Sequence, residues 1–284
     1  MATADDIQAA AREFFKPLIS SKPPALTTGL TTFLILVYVC SIFNVDLIEK
    51  WSLYPEALPY FELHRLSLYP LIHMDFTHLV FNIVSLVGPL AQFEKANGTV
   101  HTGIVLNTLA GFTGVPYCIL GLIFGYNTAV LGASGWCFSF MAYFIWLKNR
   151  TVPTVRLPFL PFNVPTLAAP FVFLFLIALL VPNSSFIGHF IAIVIGFIMA
   201  NGYLAPFCNP PFKIVLRIEK LLDKLISQVS EELTFVREVE VVGDRYKWEH
   251  IGAAGSTPLP LTEKKNSQNA FQGQGQMLGS SSGN

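Results

Sequence analysis

Two long stretches of this chain carry no Asp, Glu, Lys or Arg: residues 96–147 and residues 157–212. A soluble fold cannot hide that much uncharged chain, because roughly a quarter of an ordinary globular sequence is charged. Here the charged share is 13% against 52% apolar. Long uncharged apolar stretches are the pattern of membrane-crossing helices, in which every backbone polar group is satisfied within its own segment. The formal net charge is zero, which excludes the electrostatic footprint of a nucleic-acid binder.

Six apolar segments can be placed, at about 25–44, 69–93, 102–124, 127–147, 166–182 and 185–204. At 1.5 Å per residue each approaches the ~30 Å hydrocarbon core, the fifth only just. Lys and Arg precede the first segment (Arg12, Lys16, Lys22) and fall between the second and third (Lys95). They recur between the fourth and fifth (Lys148, Arg150, Arg156), and nine more follow the sixth. The other side receives only Lys50 and Arg65. By the positive-inside rule both termini are cytosolic, as an even number of crossings requires. The expected fold class is an all-α membrane protein, a six-helix bundle. Its expected divisions are a cytosolic segment 1–22, a bundle 23–206, a cytosolic juxtamembrane segment 207–250 and a disordered Gly- and Ser-rich tail 251–284. The first segment has neither the apolar core of a signal peptide nor a presequence pattern.

The loop over residues 45–68 is long for a bundle and rich in aromatics (Trp51, Tyr54, Tyr60, Phe61). It reads either as a plain loop or as a piece half-sunk in the interface. Beyond residue 209, Ile214, Ile218, Leu221, Leu222, Leu225 and Val229 recur at helical spacing among Lys213, Arg217, Lys220 and Lys224. This is an amphipathic helix that lies on the bilayer surface or packs on the bundle. Cys40, Cys118, Cys137 and Cys208 show no paired or metal-like spacing and read as small buried hydrophobes. Nothing calls for a metal or cofactor.

Polar residues inside apolar helices cost free energy and need an explanation, structural or functional. His73, His78 and Asn82 lie near the start of the second segment, Gly132, Ser134 and Gly135 near the start of the fourth, Gly188 and His189 near the start of the sixth. All three segments enter from the non-cytosolic side, so these residues share one leaflet. Ser134 falls about seven residues into its segment, or roughly 10 Å, and His189 about four. A serine hydroxyl becomes a nucleophile when a base within hydrogen-bond reach takes its proton, and His189 can be that base. His78 and Asn82 are four apart, hence on one helical face, and both can donate to an oxyanion. The Ser134 backbone N–H at a helix N-terminus adds a third donor. No carboxylate is placed to orient His189, so the set is a dyad. Gly188, Ala192, Gly196 and Ala200 form a small-residue stripe that permits close helix approach. No paired midplane charges or internal repeats favour a transporter.

These residues resemble the rhomboid family of intramembrane serine proteases. His73, His78 and Asn82 match its HxxxxHxxxN pattern, Gly132, Ser134 and Gly135 match GxSG, and Gly188, His189, Ala192 and Gly196 match its histidine helix, with Ala at one usual Gly. Glu94 stands where the family often has a glutamate closing the second helix. The family's Trp-Arg pair in the first loop reads His64 and Arg65 here. The resemblance covers about residues 23–205. It implies a six-helix domain around a water-accessible cavity, with Ser134 as nucleophile, His189 as base, and His78, Asn82 and the Ser134 amide as oxyanion donors. It implies single-span membrane proteins as substrates. The six-helix form looks most like fungal Golgi rhomboids. In the tail, Phe271, Gly273, Gly275, Gln276 and Leu278 stand in the pattern FxGxGQxL. This resembles the box that binds the N-domain of the valosin-containing AAA ATPase. The expectation is an intramembrane endopeptidase coupled to that ATPase. The alternative is a catalytically silent rhomboid-fold adaptor that recruits it.

Overall fold

The computed structural model describes residues 22–44, 46–157, 160–181, 184–241 and 243. The tail residues Phe271, Gly273, Gly275, Gln276 and Leu278 lie outside them, as does the N-terminal segment before Lys22. All six apolar segments fold as helices: α1 (Ala25–Phe43), α4 (Phe76–Asn97), α5 (Thr99–Phe124), α6 (Ser134–Asn149), α7 (Ala169–Leu180) and α8 (Phe186–Ala200). Between α1 and α4 run the short helices α2 (Asp46–Trp51) and α3 (Arg65–Leu68), and α9 (Ala205–Cys208), α10 (Phe212–Leu221) and α11 (Asp223–Val229) follow α8.

Three of these helices, α1, α4 and α5, are long and apolar enough to cross a bilayer alone. A fourth crossing is formed if α8 is taken with Ala205–Leu221, which turns from it by 90°. The remaining apolar helices are shorter than expected. The 12 residues of α7 rise only roughly 18 Å. A 3-10 turn over Thr166–Ala168 extends it at the front. The chain is thus a mostly helical membrane protein whose later helices are short.

Two helix starts differ from the sequence reading. The α4 helix begins at Phe76, because Asp75 caps it: its carboxylate accepts from the His78 N–H at 2.8 Å and from the Thr77 hydroxyl. The α6 helix begins at Ser134, making Ser134 its first residue rather than its seventh. The preceding chain is extended, since Val130 pairs with Leu53 through N–H···O bonds of 2.7 and 2.9 Å. That pairing ties the first loop to the start of α6. The loop is an ordered, packed unit. Arg65 is buried, donates to the Glu62 carboxylate and to the Glu49 and Ser52 carbonyls at 2.5 and 2.8 Å, and lies over the Tyr54 ring. With His64 in place of Trp, Arg65 still anchors the loop. The Glu62 carboxyl is held below the usual carboxylate range by the Arg65 guanidinium and the Tyr54 hydroxyl.

At the other end of the bundle Glu94 is fully buried. Its carboxylate accepts from the N–H groups of Leu26 and Thr27 at the start of α1, and from the hydroxyls of Thr27 and Thr99, all at 2.7–2.8 Å. One side chain therefore caps α1 and joins it to α4 and α5. The chain after α11 returns to this point: Thr234 bonds to Pro23 and Ala25, and Val236 to Thr99.

The expected single amphipathic helix is two helices, α10 and α11, broken at Leu222. A two-stranded hairpin between α6 and α7, Thr154–Arg156 against Asn163–Pro165, carries no sequence signal that was read as strand. Cys118, Cys137 and Cys208 are buried as expected, but Cys40 on α1 is exposed. An apolar environment outside α1 makes a buried position unnecessary for it.

Candidate active site

The helices α6 and α8 make the most extensive helix-to-helix contact among the described elements, and composition explains it. Gly196 has no side chain where one would meet the Ser139 carbonyl oxygen at 2.2 Å and the Ala142 methyl at 2.8 Å. Beside it the Ser139 hydroxyl donates to the Ala192 carbonyl at 2.9 Å. Small residues and an interhelical hydrogen bond are what pack helices where water supplies no driving force.

This approach brings Ser134 at the head of α6 to His189 in the first turn of α8. The His189 Nε2 lies 2.8 Å from Ser134 Oγ, an ordinary hydrogen-bond length. Ser134 is half-buried and His189 is buried. The His189 ring stacks on Phe138, centroids 4.5 Å apart at 29°. Among the described residues its Nδ1 has no hydrogen-bond partner, so no carboxylate holds the far side of the ring. Packing against Phe138 orients the imidazole where a triad would use an acid. Phe138 is four residues after Ser134 and so on its helical face; that spacing was the available signal, and the sequence reading missed it.

The first turn of α8 has its own cap. The Ser185 hydroxyl accepts from the Gly188 N–H at 3.1 Å. A Cβ on Gly188 would press on that hydroxyl at 2.9 Å. Ser185 three residues before Gly188 is a capping spacing that the sequence reading also left unused.

His78 and Asn82 come to the site from α4. Gly132 shows where they point. Its φ is +101°, a backbone shape that suits glycine, and a Cβ there would lie 2.6 Å from the His78 ring and 3.2 Å from Asn82 Nδ2. Asn82 Nδ2 is buried and has no partner among the described residues. The Gly132 N–H donates to the Tyr69 carbonyl at 2.8 Å, which fixes the turn before Ser134. His73 is fully buried behind it: its Nε2 lies 3.4 Å from the Ala133 N–H and its ring meets that of His78 edge to face at 5.1 Å. Gly135, by contrast, has only ordinary contacts with Thr113 and Tyr69 around it. Ser134, His189, His78, Asn82, Gly132 and His73 thus gather at one end of the bundle. Glu94 is occupied at the opposite end of α4.

Chemically, this is a hydroxyl beside an imidazole nitrogen that accepts its proton in the tautomer protonated at Nδ1, with side-chain donors facing the same turn. The arrangement suits proton transfer from Ser134 to His189 and attack on a carbonyl.

Residues 60–206 match the model of the Rhomboid domain, a span that contains every residue of the site. The chain is 42% identical to Rhomboid-type serine protease 2 of Saccharomyces cerevisiae over 242 residues, covering 84% of this chain and 90% of that protein. It is 44% identical to Rhomboid-type serine protease 2 of Yarrowia lipolytica over 218 residues, 76% of this chain and 73% of that one. Rhomboid-type serine protease B of Aspergillus fumigatus is 32% identical over 212 residues, 70% of this chain and 75% of the relative.

Proposed function

Since the chain belongs to the rhomboid family of serine proteases, we propose that it is an intramembrane endopeptidase that cuts membrane-spanning proteins with Ser134 and His189. The observation that carries this reading is the 2.8 Å approach of His189 Nε2 to Ser134 Oγ. In the proposed reaction Ser134 Oγ attacks the scissile carbonyl while His189 Nε2 takes its proton. His189 then returns that proton to the leaving amine, giving an acyl enzyme that water hydrolyses through the same base. The acceptor role of Nε2 places the resting proton on Nδ1. The oxyanion meets Asn82 Nδ2, the His78 ring and the Ser134 N–H. Each such donor is worth about 3–4 kcal/mol of barrier. A side chain on Gly132 would press directly on the His78 ring and the Asn82 amide.

In this reading all six apolar helices cross the bilayer, the shorter ones through locally thinned lipid, and both termini are cytosolic by the basic-residue bias. The site then lies toward the non-cytosolic leaflet, and a Golgi membrane is the compartment the resemblance favours. Substrates are single-span proteins. The tail residues Phe271, Gly273, Gly275, Gln276 and Leu278 bind the valosin-containing-type AAA ATPase from the cytosol, which would extract the products.

The test is cleavage of a co-expressed single-span substrate by wild type and by Ser134→Ala. Cleavage by wild type alone supports the reading, and equal cleavage by both sinks it. For the tail, Phe271→Ala with Leu278→Ala is expected to abolish ATPase pull-down without reducing cleavage; unchanged pull-down refutes that part.

A further inference from the structure

Over Ala205–Leu221 the chain turns by 90° from α8, so α10 runs across the end of the bundle instead of along it, and α11 follows it. Their residues fall into three stripes, the two outer ones with the full spacing i, i+4, i+7, i+11 and the buried one interrupted at Leu222. Val215, Glu219 and Ile226 face the bundle, and all three are buried. They are held there: Glu219 accepts from the Glu238 N–H at 2.8 Å and Asp223 from Arg237 at 2.8 Å. One residue earlier, Ile214, Ile218, Leu221 and Leu225 form an apolar stripe rotated by about 100°. Leu221 is 82% and Leu225 55% exposed. One residue earlier again, Lys213, Arg217, Lys220 and Lys224 form a stripe of exposed cations. Among the described residues these four make no ion pair. The two acids of this stretch do not neutralise them, since Glu219 is buried and Asp223 is engaged by Arg237.

The order of the stripes identifies what covers the outer face. Going round the helix, the bundle comes first, then apolar side chains, then cations. A helix at right angles to a membrane span meets the same sequence of environments at its side: protein, acyl-chain boundary, headgroups. We propose that α10 and α11 bind the anionic phospholipid headgroups of the leaflet in which α8 ends, Ile214, Ile218, Leu221 and Leu225 entering the acyl boundary and Lys213, Arg217, Lys220 and Lys224 meeting the phosphates. This rests on the reading of α8 as a membrane span. A soluble partner does not require the apolar stripe to lie between the bundle and the cations, whereas a bilayer does. The helix pair thereby makes the protein responsive to the anionic lipid content of its own membrane.

The test uses the full chain in lipid nanodiscs, with an environment-sensitive fluorophore on Leu221→Cys in a Cys40→Ser background, the other three cysteines being buried. Discs of phosphatidylcholine are compared with discs that also contain phosphatidylserine. The expected result is blue-shifted emission, quenched by headgroup-spin-labelled lipid, in the phosphatidylserine discs. Neutralising Lys213, Arg217, Lys220 and Lys224 to Gln should weaken docking by about fivefold per charge, and added salt should do the same. Replacing the three lysines by Arg keeps the signal, which separates charge from damage to the helix. Equal emission in both disc types, indifference to neutralisation, or shielding by added soluble protein in place of lipid would each overturn the proposal. The readout needs no proteolysis. Loss of docking with intact cleavage removes this inference alone, and docking by an inert enzyme removes only the protease reading.

Discussion

Gly196 of α8 stands against Ser139 of α6 with no room for a methyl group, the built Cβ position lying 2.2 Å from the Ser139 carbonyl oxygen. The obstacle is backbone, so the helices must part if a side chain is added. Two turns away the same helix pair sets the contact of Ser134 with His189. Gly196→Ala is therefore expected to cost about 1–3 kcal/mol of stability and to lower kcat more than stability alone explains. Thermal unfolding in detergent and cleavage rate of the folded fraction check this; a stable variant with normal kcat would show that the two sites are uncoupled.

Phe138 stacks on the His189 ring, and His189 Nδ1 has no partner among the described residues. Stacking therefore does the orienting that a carboxylate does in a triad. Phe138→Leu keeps the apolar volume but loses the flat face. We expect kcat to fall about tenfold, equivalent to 1.4 kcal/mol, with KM unchanged. A change in KM alone would mean that Phe138 touches substrate and does not position the base.

Glu94 satisfies four donors from the starts of α1 and α5. Glu94→Ala strands the buried Thr27 amide and the part-buried Leu26 amide, and a loss of about 2–5 kcal/mol is expected. Glu94→Gln should recover less than half, because its amide nitrogen faces donors. Unfolding midpoints measure this. Since Glu94 lies far from Ser134, the folded fraction of either variant should cleave at the normal rate.

The first loop hangs on Arg65, which satisfies a carboxylate and two carbonyls at once. A lysine cannot match that fork, so Arg65→Lys should loosen residues 46–71 almost as much as Arg65→Ala. The Glu62 pKa is depressed in the fold. Its contact is thus complete above the unfolded carboxylate value, about 4.3, and is lost as pH falls through the lower folded value. Hydrogen exchange across the loop should rise on that acid limb, and Glu62→Gln should remove the pH dependence. An unchanged acid limb in Glu62→Gln would assign it to another group.

What the sequence made legible follows from spacing. His78 and Asn82 four residues apart, Ser134 between small residues, and His189 on a small-residue stripe are local patterns, and the structure brings these residues together. The six apolar segments were visible because a bilayer demands long uncharged runs. The missing parts depend on partners remote in sequence. The start of α6 at Ser134 is set by the pairing of Val130 with Leu53, and no local signal in residues 127–133 announces it. Glu94 reads as a lone acid closing a helix until Leu26, Thr27 and Thr99 are seen around it. The return of Thr234 and Val236 to the start of α1 is likewise a long-range contact. The break at Leu222 hid inside a periodicity that runs through it unchanged.

The most direct measurement of the central claim is covalent labelling of the detergent-solubilised protein by a fluorophosphonate, with the modified peptide identified by mass spectrometry. A phosphonate of this kind reacts with a serine whose proton a base removes. The expected result is a single adduct on Ser134 that disappears in His189→Ala while the protein remains folded. An unlabelled Ser134, or labelling that persists at full rate without His189, would contradict the account of a hydroxyl activated by that imidazole.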